Sequence, residues 1–207
     1  MRILGLLLAA LIAVCGVNTV QAGDSHAGGC PSVQRYAVGG NADPTSSRVR
    51  APYPRVNIAY PANVFAGDYS RDVAMAKLSD YARTTRALCP DTAIEVYGFS
   101  LGASVASAVV DHWQADPVMN RNTTAVYYGN PRRPVDYRGR GGIEAVGLPN
   151  IPGIYTFWGQ RGTGPIPIVE VCNLAWDIIC DAPVPLHRDL PASWQALWGY
   201  LTTGHRY

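Results

Sequence analysis

A chain of 207 residues, 48% of them hydrophobic, is long enough for one domain with a substantial core. Its formal net charge of +2, with 15% charged residues, excludes a nucleic-acid surface held by bulk charge. The 21 glycines and 16 prolines read as a compact, loop-rich fold rather than as disorder.

The amino terminus reads as a targeting segment. Arg2 precedes an apolar run over residues 3–14 that is too short for a comfortable membrane span. Val20-Gln21-Ala22 supplies the small residues of a cleavage site. The expected division is a signal peptide over 1–22, a mobile polar linker over 23–29 and one domain over 30–207, exported to the cell envelope or beyond and with no stable span after cleavage. An uncleaved anchor is the alternative. Cys15 leaves with the signal, since the bulky Val14 argues against lipidation. Cys30, Cys89, Cys172 and Cys180 remain, an even number that predicts two disulfides. Of three connectivities, the expected one closes the local loop Cys172–Cys180 and leaves Cys30–Cys89. The spacings fit no zinc pattern, and neither metal nor cofactor is expected.

Residues 33–38 read as a first strand running into Gly39-Gly40, where backbone amides can approach a ligand closely or a plain surface turn can form. A second strand is expected over 55–60, stopped by Pro61. Ser70 can cap a helix to about Leu88, with Ala74, Leu78, Tyr81, Ala82, Thr85 and Leu88 on one face; Lys77, Asp80, Arg83 and Arg86 then form a solvated face.

Residues 93–97 are apolar and β-branched, and residues 103–112 are small and helical in length. Between them stands Gly98-Phe99-Ser100-Leu101-Gly102. A G-x-S-x-G between a strand and a helix is the pattern of a nucleophile elbow, with Ser100 strained at the turn and aimed past the sheet. The amide of Leu101 and those of Gly39 and Gly40 are the candidate oxyanion donors. A serine hydroxyl needs a base and an acid from elsewhere in the chain.

Further strands are expected over 123–128, 154–158 and 166–171, and a last helix over 190–201 with Trp194, Leu197, Trp198 and Leu201 facing the core. Arg132, Arg133, Arg138 and Arg140 fall in one glycine-rich loop, read as a soluble loop rather than an anion pocket. Alternating strands and helices predict an α/β fold: one small domain, a mostly parallel central sheet flanked by helices, and no large lid. Asp177, in the loop that Cys172–Cys180 would staple, is the expected acid, with Asp181 its rival. His26 lies in the linker and His112 on the helix after the elbow, which leaves His187 and His205 as candidate bases.

Nearly all of the mature chain resembles a cutinase-like serine esterase, and within that group the PE-PPE type of domain. Gly98-Phe99-Ser100-Leu101-Gly102-Ala103 is similar to that family's G-Y-S-Q-G-A, and Gly129-Asn130-Pro131-Arg132-Arg133-Pro134 to its G-N-P-x-R-P. The four cysteines and the run from Cys172-Asn173 through Asp177 to Cys180 resemble cutinases. The ending Gly199-Tyr200-Leu201 to His205 and Tyr207 resembles the PE-PPE type, where the base follows the last helix; the cutinase arrangement would select His187. The resemblance implies an exported serine esterase with the triad Ser100, Asp177 and His205, acting on a small-molecule ester or lipid, cell-envelope lipids included. It is expected to be a monomer, with no nucleic-acid partner. An acyltransferase passing a fatty-acyl group to a sugar hydroxyl is the nearest alternative, and a catalytically silent binding module the alternative of another class. Leu101, where the family has glutamine, is the departure from the pattern.

Overall fold

The computed structural model describes residues 29–207, so the expected signal peptide and most of the expected linker, with Cys15 and His26, lie outside the described residues. Five strands form one parallel sheet in the order β2-β1-β3-β4-β6. They are β1 (Val33–Val38), β2 (Val56–Asn57), β3 (Ala93–Phe99), β4 (Thr123–Tyr128) and β6 (Ile168–Val171). A short antiparallel pair joins β5 (Arg140–Gly141) to β7 (Ala182–Pro183). Three helices accompany them: α1 (Gly67–Leu88), α2 (Leu101–Gln114) and α3 (Leu190–Thr202).

The core lies on one face of the sheet, where the period-two alternation of strands sends every second side chain. Tyr36, Val38, Ile94, Val96, Ala125 and Tyr127 point there, and α1 and α2 cover them with Ala74, Leu78, Ala103, Val105, Val109 and Trp113. Small residues along α2 let it lie close to the sheet, which is why twelve of its fourteen residues are buried. The other face is half-exposed and polar. There Arg35 on β1 donates to Glu95 on β3, and Tyr97 donates to the same carboxylate oxygen.

Several sequence expectations need correcting. The second strand shrinks to Val56–Asn57, because beyond Ile58 the chain turns to bond Pro44 rather than β1. Ser70 is not the cap of α1: it is buried one turn inside, exchanging hydrogen bonds with the backbone of Asn63. Arg86 is not solvated. It is 2% exposed and donates to the carbonyls of Pro90, Thr92 and Arg121, tying α1 to the loops that start β3 and β4. Tyr81 and Leu88, placed on the apolar face of α1, are exposed.

No strand forms over 154–158. Tyr155 forms only an isolated antiparallel bridge with Ile151, and from Thr156 on the backbone N–H groups are satisfied by side chains instead of a ladder. Thr156 N–H donates to Asp68, Phe157 N–H to Asn150 and Trp158 N–H to Glu144. At the centre is the fully buried Arg71 of α1, which donates to Asp68, Glu144 and the carbonyl of Thr156, between the rings of Tyr155 and Trp158.

Helix α3 turns opposite to expectation. Ala196 and Gly199 are its buried residues, while Trp194, Trp198 and Leu201 are largely exposed. Gly199 and, just past the helix, Gly204 sit so tightly on the Trp176 carbonyl that a β-carbon at either would overlap it. Large side chains therefore have no room on that side. Both expected disulfides are present: Cys30–Cys89 links the start of β1 to the end of α1, and Cys172–Cys180 closes the loop after β6.

Candidate active site

The carboxyl ends of parallel strands are where such sheets bind ligands, and each segment of the candidate site leaves one of them. Ser100 follows β3 at φ 54° and ψ −121°, a conformation that L-residues avoid and that costs on the order of 1–3 kcal/mol. Gly98 and Gly102 permit it. A β-carbon on Gly98 would collide with Gly102 and Ala103, and one on Gly102 with the carbonyls of Val38 and Gly39. The N–H of Leu101, first residue of α2, has no carbonyl one turn back within its helix and stands at the helix's positive end.

The loop after β1 folds over this turn. Gly40 touches the Phe99 ring and the Ser100 β-carbon with no space for a side chain. Gly39 is committed elsewhere: its N–H donates to Ser46 Oγ at 2.8 Å and its carbonyl accepts from the Tyr60 hydroxyl. Of the glycine pair, Gly39 therefore drops out as an oxyanion donor and Gly40 stays. Burial, followed by the charge of Asp43, pushes the Tyr60 phenol well up, so it remains a donor to that carbonyl.

His205 and Asp177 meet although they lie on different segments. His205 Nδ1 is 2.7 Å from Asp177 Oδ2, with Asp177 fully buried and the imidazole 13% exposed. The other carboxylate oxygen accepts the N–H of Ile179. Tyr207 donates its hydroxyl to the oxygen that faces His205, at 2.5 Å. Burial first, then the Asp177 charge, hold that phenol's pKa far above its ordinary value, so it keeps its proton. The loop carrying Asp177 is fixed by Cys172–Cys180 and by Asn173, whose amide donates to the carbonyls of Gly204 and Arg206. The seat of Gly199 and Gly204 on Trp176 thus brings the chain's last residues back onto Asp177.

The His205 ring stacks on Phe99, the residue before Ser100, with centroids 4.9 Å apart. Its Nε2 is buried and has no hydrogen-bond partner. Among the described residues no hydrogen bond joins this nitrogen to Ser100; in free enzymes that bond is often long and tightens with substrate. A cavity of about 260 Å³ opens above, lined by Phe99, Tyr128, His205 and Tyr207 and rimmed by arginines.

The rival residues lie elsewhere. Asp181 is buried, but it accepts from Arg133, Arg138 and Arg140 and from the N–H of Ala175, with no histidine on it. His187 lies in a short 3-10 turn and is exposed, and His112 is exposed on α2. The arginine-rich loop is neither free nor anion-binding: three arginines converge on Asp181, and the buried Arg132 pairs with Asp111. Phe99 and Asn173 escaped the sequence reading as site residues, since stacking and loop anchoring leave no motif of their own.

The cutinase family model matches residues 29–189. The chain belongs to the cutinase family. The match ends before α3, so His205 and Tyr207 come from the segment beyond it. Among solved structures, lysin B from Mycobacteriophage D29 is similar at 19% identity and a TM-score of 0.50, covering 69% of this chain. The chain spans 64% of that protein's length. A cutinase-like protein from Cryptococcus sp. is similar at 15% identity and a TM-score of 0.50, over 83% of this chain and 92% of its own. At such identities the likeness is one of fold. The search of curated proteins returned no match.

Proposed function

We propose that this cutinase-family protein is an exported serine esterase that cleaves carboxylic esters through an acyl-enzyme on Ser100. The observation carrying the reading is the His205 imidazole: one nitrogen is held by a buried carboxylate, and the other is buried and unpartnered beside the elbow. In the mechanism, His205 Nε2 takes the Ser100 proton as Oγ attacks the ester carbonyl. Asp177 fixes the tautomer and stabilises the imidazolium. The amides of Leu101 and Gly40 hold the oxyanion. Collapse expels the alcohol, protonated by His205. Water, deprotonated by the same imidazole, then releases the acid and restores Ser100.

Export fits the leader over 1–22 and the two disulfides, which need an oxidising compartment. No helix among the described residues is long and apolar enough to cross a membrane. Substrates are acyl esters or lipids. The PE-PPE-like ending supports the choice of base, because there the histidine follows the last helix.

A fluorophosphonate probe tests the nucleophile: wild type becomes labelled and Ser100→Ala does not. Equal labelling of both, or none of either, sinks the enzyme reading. On 4-nitrophenyl butyrate, His205→Ala is expected to lose about three orders of magnitude or more in kcat. His187→Ala stays near wild type. The opposite pattern moves the base to His187.

A further inference from the structure

The cationic groups that border the cavity are not those of the arginine-rich loop. Arg48 and Arg50, from the loop after β1, and Arg206, next to the base, line its mouth, and none of its lining residues is acidic. Arg50 and Arg206 have no carboxylate within salt-bridge distance among the described residues. Arg48 has only a loose one, Asp43 at 3.9 Å, and is itself mostly exposed.

The loop is built to present them. Val49, between the two arginines, is 4% exposed and pegs the loop into the fold. The Arg55 guanidinium donates to the carbonyls of Ser47, Val49 and Ala51. Arg55 clamps alternate carbonyls, while Arg48 and Arg50 stay exposed, Arg48 also donating to the Ala42 carbonyl. Asp43 reinforces the same loop by accepting the N–H groups of Ser47 and Arg48. Three cations around a small cavity over an imidazole suit an anionic group better than a bare alkyl chain. Guanidinium forks match carboxylate and phosphate oxygens.

We propose that this mouth is an anion-recognition subsite, and that the enzyme prefers esters bearing a carboxylate or phosphate on the part of the molecule that lies outside the scissile bond. The inference rests on the serine-esterase reading and names the substrate class of that site. Its cations are exposed, so each contact is modest and screened by salt.

The test compares the 4-nitrophenyl monoester of adipic acid with 4-nitrophenyl hexanoate, which has the same chain length without the charge. The readout is the ratio of the two kcat/KM values. In the double variant Arg50→Gln/Arg206→Gln the ratio is expected to fall roughly fivefold or more, and in wild type to fall as salt rises to 1 M. The single variant Arg50→Gln, away from the triad, gives a smaller fall in the same direction and guards against a misfolded double variant. A second arm sets phosphatidylglycerol against diacylglycerol in mixed micelles. Preference for the anionic member there assigns the subsite to a lipid headgroup, whereas preference in the soluble pair alone assigns it to small anionic esters. A ratio unmoved by both variants and by salt, with both soluble esters turned over, overturns the subsite and leaves the esterase standing. Turnover of neither ester by folded wild type overturns the underlying reading, and the subsite with it.

Discussion

Tyr207 is the residue whose role is most open to measurement. Its phenol and His205 Nδ1 share one oxygen of Asp177. The phenol's hydrogen bond holds that carboxylate in place against the imidazole. Tyr207→Phe removes the bond and leaves the carboxylate looser. kcat is expected to fall about tenfold with KM little changed. A rise in KM with kcat kept would count against a positioning role. The sequence favours Asp177 over Asp181 only through its place inside the Cys172–Cys180 loop. Both stand at the Cys180 bridge and both are buried. Their partners, His205 for one and Arg133, Arg138 and Arg140 for the other, are brought in by folding from distant positions, and spacing along the chain carries no record of that.

At the scale of elements, β1 and β4 matched their expected bounds because β-branched alternation between turn residues is a local signal. The elbow was equally legible as a motif, although only Gly98 is demanded by nearby atoms, those of Gly102 and Ala103; Gly102 is demanded by the carbonyls of Val38 and Gly39 at the end of the neighbouring strand. Helix α3 was legible as a helix but not in its orientation. Its hydrophobic stripe holds the tryptophans, whereas the packed side is decided by how closely the backbone must approach Trp176. Two substitutions separate these faces. Ala196→Leu puts extra volume at a fully buried position and is expected to cost about 1–3 kcal/mol in denaturant unfolding. It should also depress kcat, since α3 carries the chain to His205. Trp198→Ser, at a side chain 58% exposed, is expected to change stability by no more than about 0.5 kcal/mol. Reversal of this order would mean that the tryptophan face, not the alanine–glycine face, packs in solution. The lost strand at 154–158 has a similar cause: Asp68, Asn150 and Glu144 took its backbone partners, and their reach across the fold is invisible to periodicity.

For the whole molecule, stability depends on links between segments far apart in sequence. Asp68 of α1 is one of them. Burial alone would raise its pKa, but the Thr156 N–H and the Arg71 guanidinium outweigh that and hold it below the ordinary carboxylate value. A depressed folded-state pKa stabilises the fold above the unfolded carboxylate's pKa, about 3.9, and the gain is lost as pH falls through the lower folded value. Asp68→Asn should therefore melt below wild type at pH 7, with the two melting temperatures converging toward pH 2; parallel curves would deny the linkage. The disulfides divide stability from catalysis more sharply. Cys30–Cys89 spans 59 positions at the edge of the sheet away from Ser100, and loop entropy assigns its loss about 4 kcal/mol. Cys172–Cys180 spans 8 positions, worth about 2.5 kcal/mol on the same reasoning, but it holds the loop bearing Asp177. Paired Cys→Ser variants, assayed well below their melting points on a neutral nitrophenyl ester, should dissociate the two effects. The first pair loses more stability and keeps kcat within about twofold; the second loses less stability and drops kcat tenfold or more, because a carboxylate free to wander no longer fixes the imidazole. Equal kcat in the two variants would show that the Asn173 hydrogen bonds and the Gly199–Gly204 seat hold Asp177 without the covalent staple.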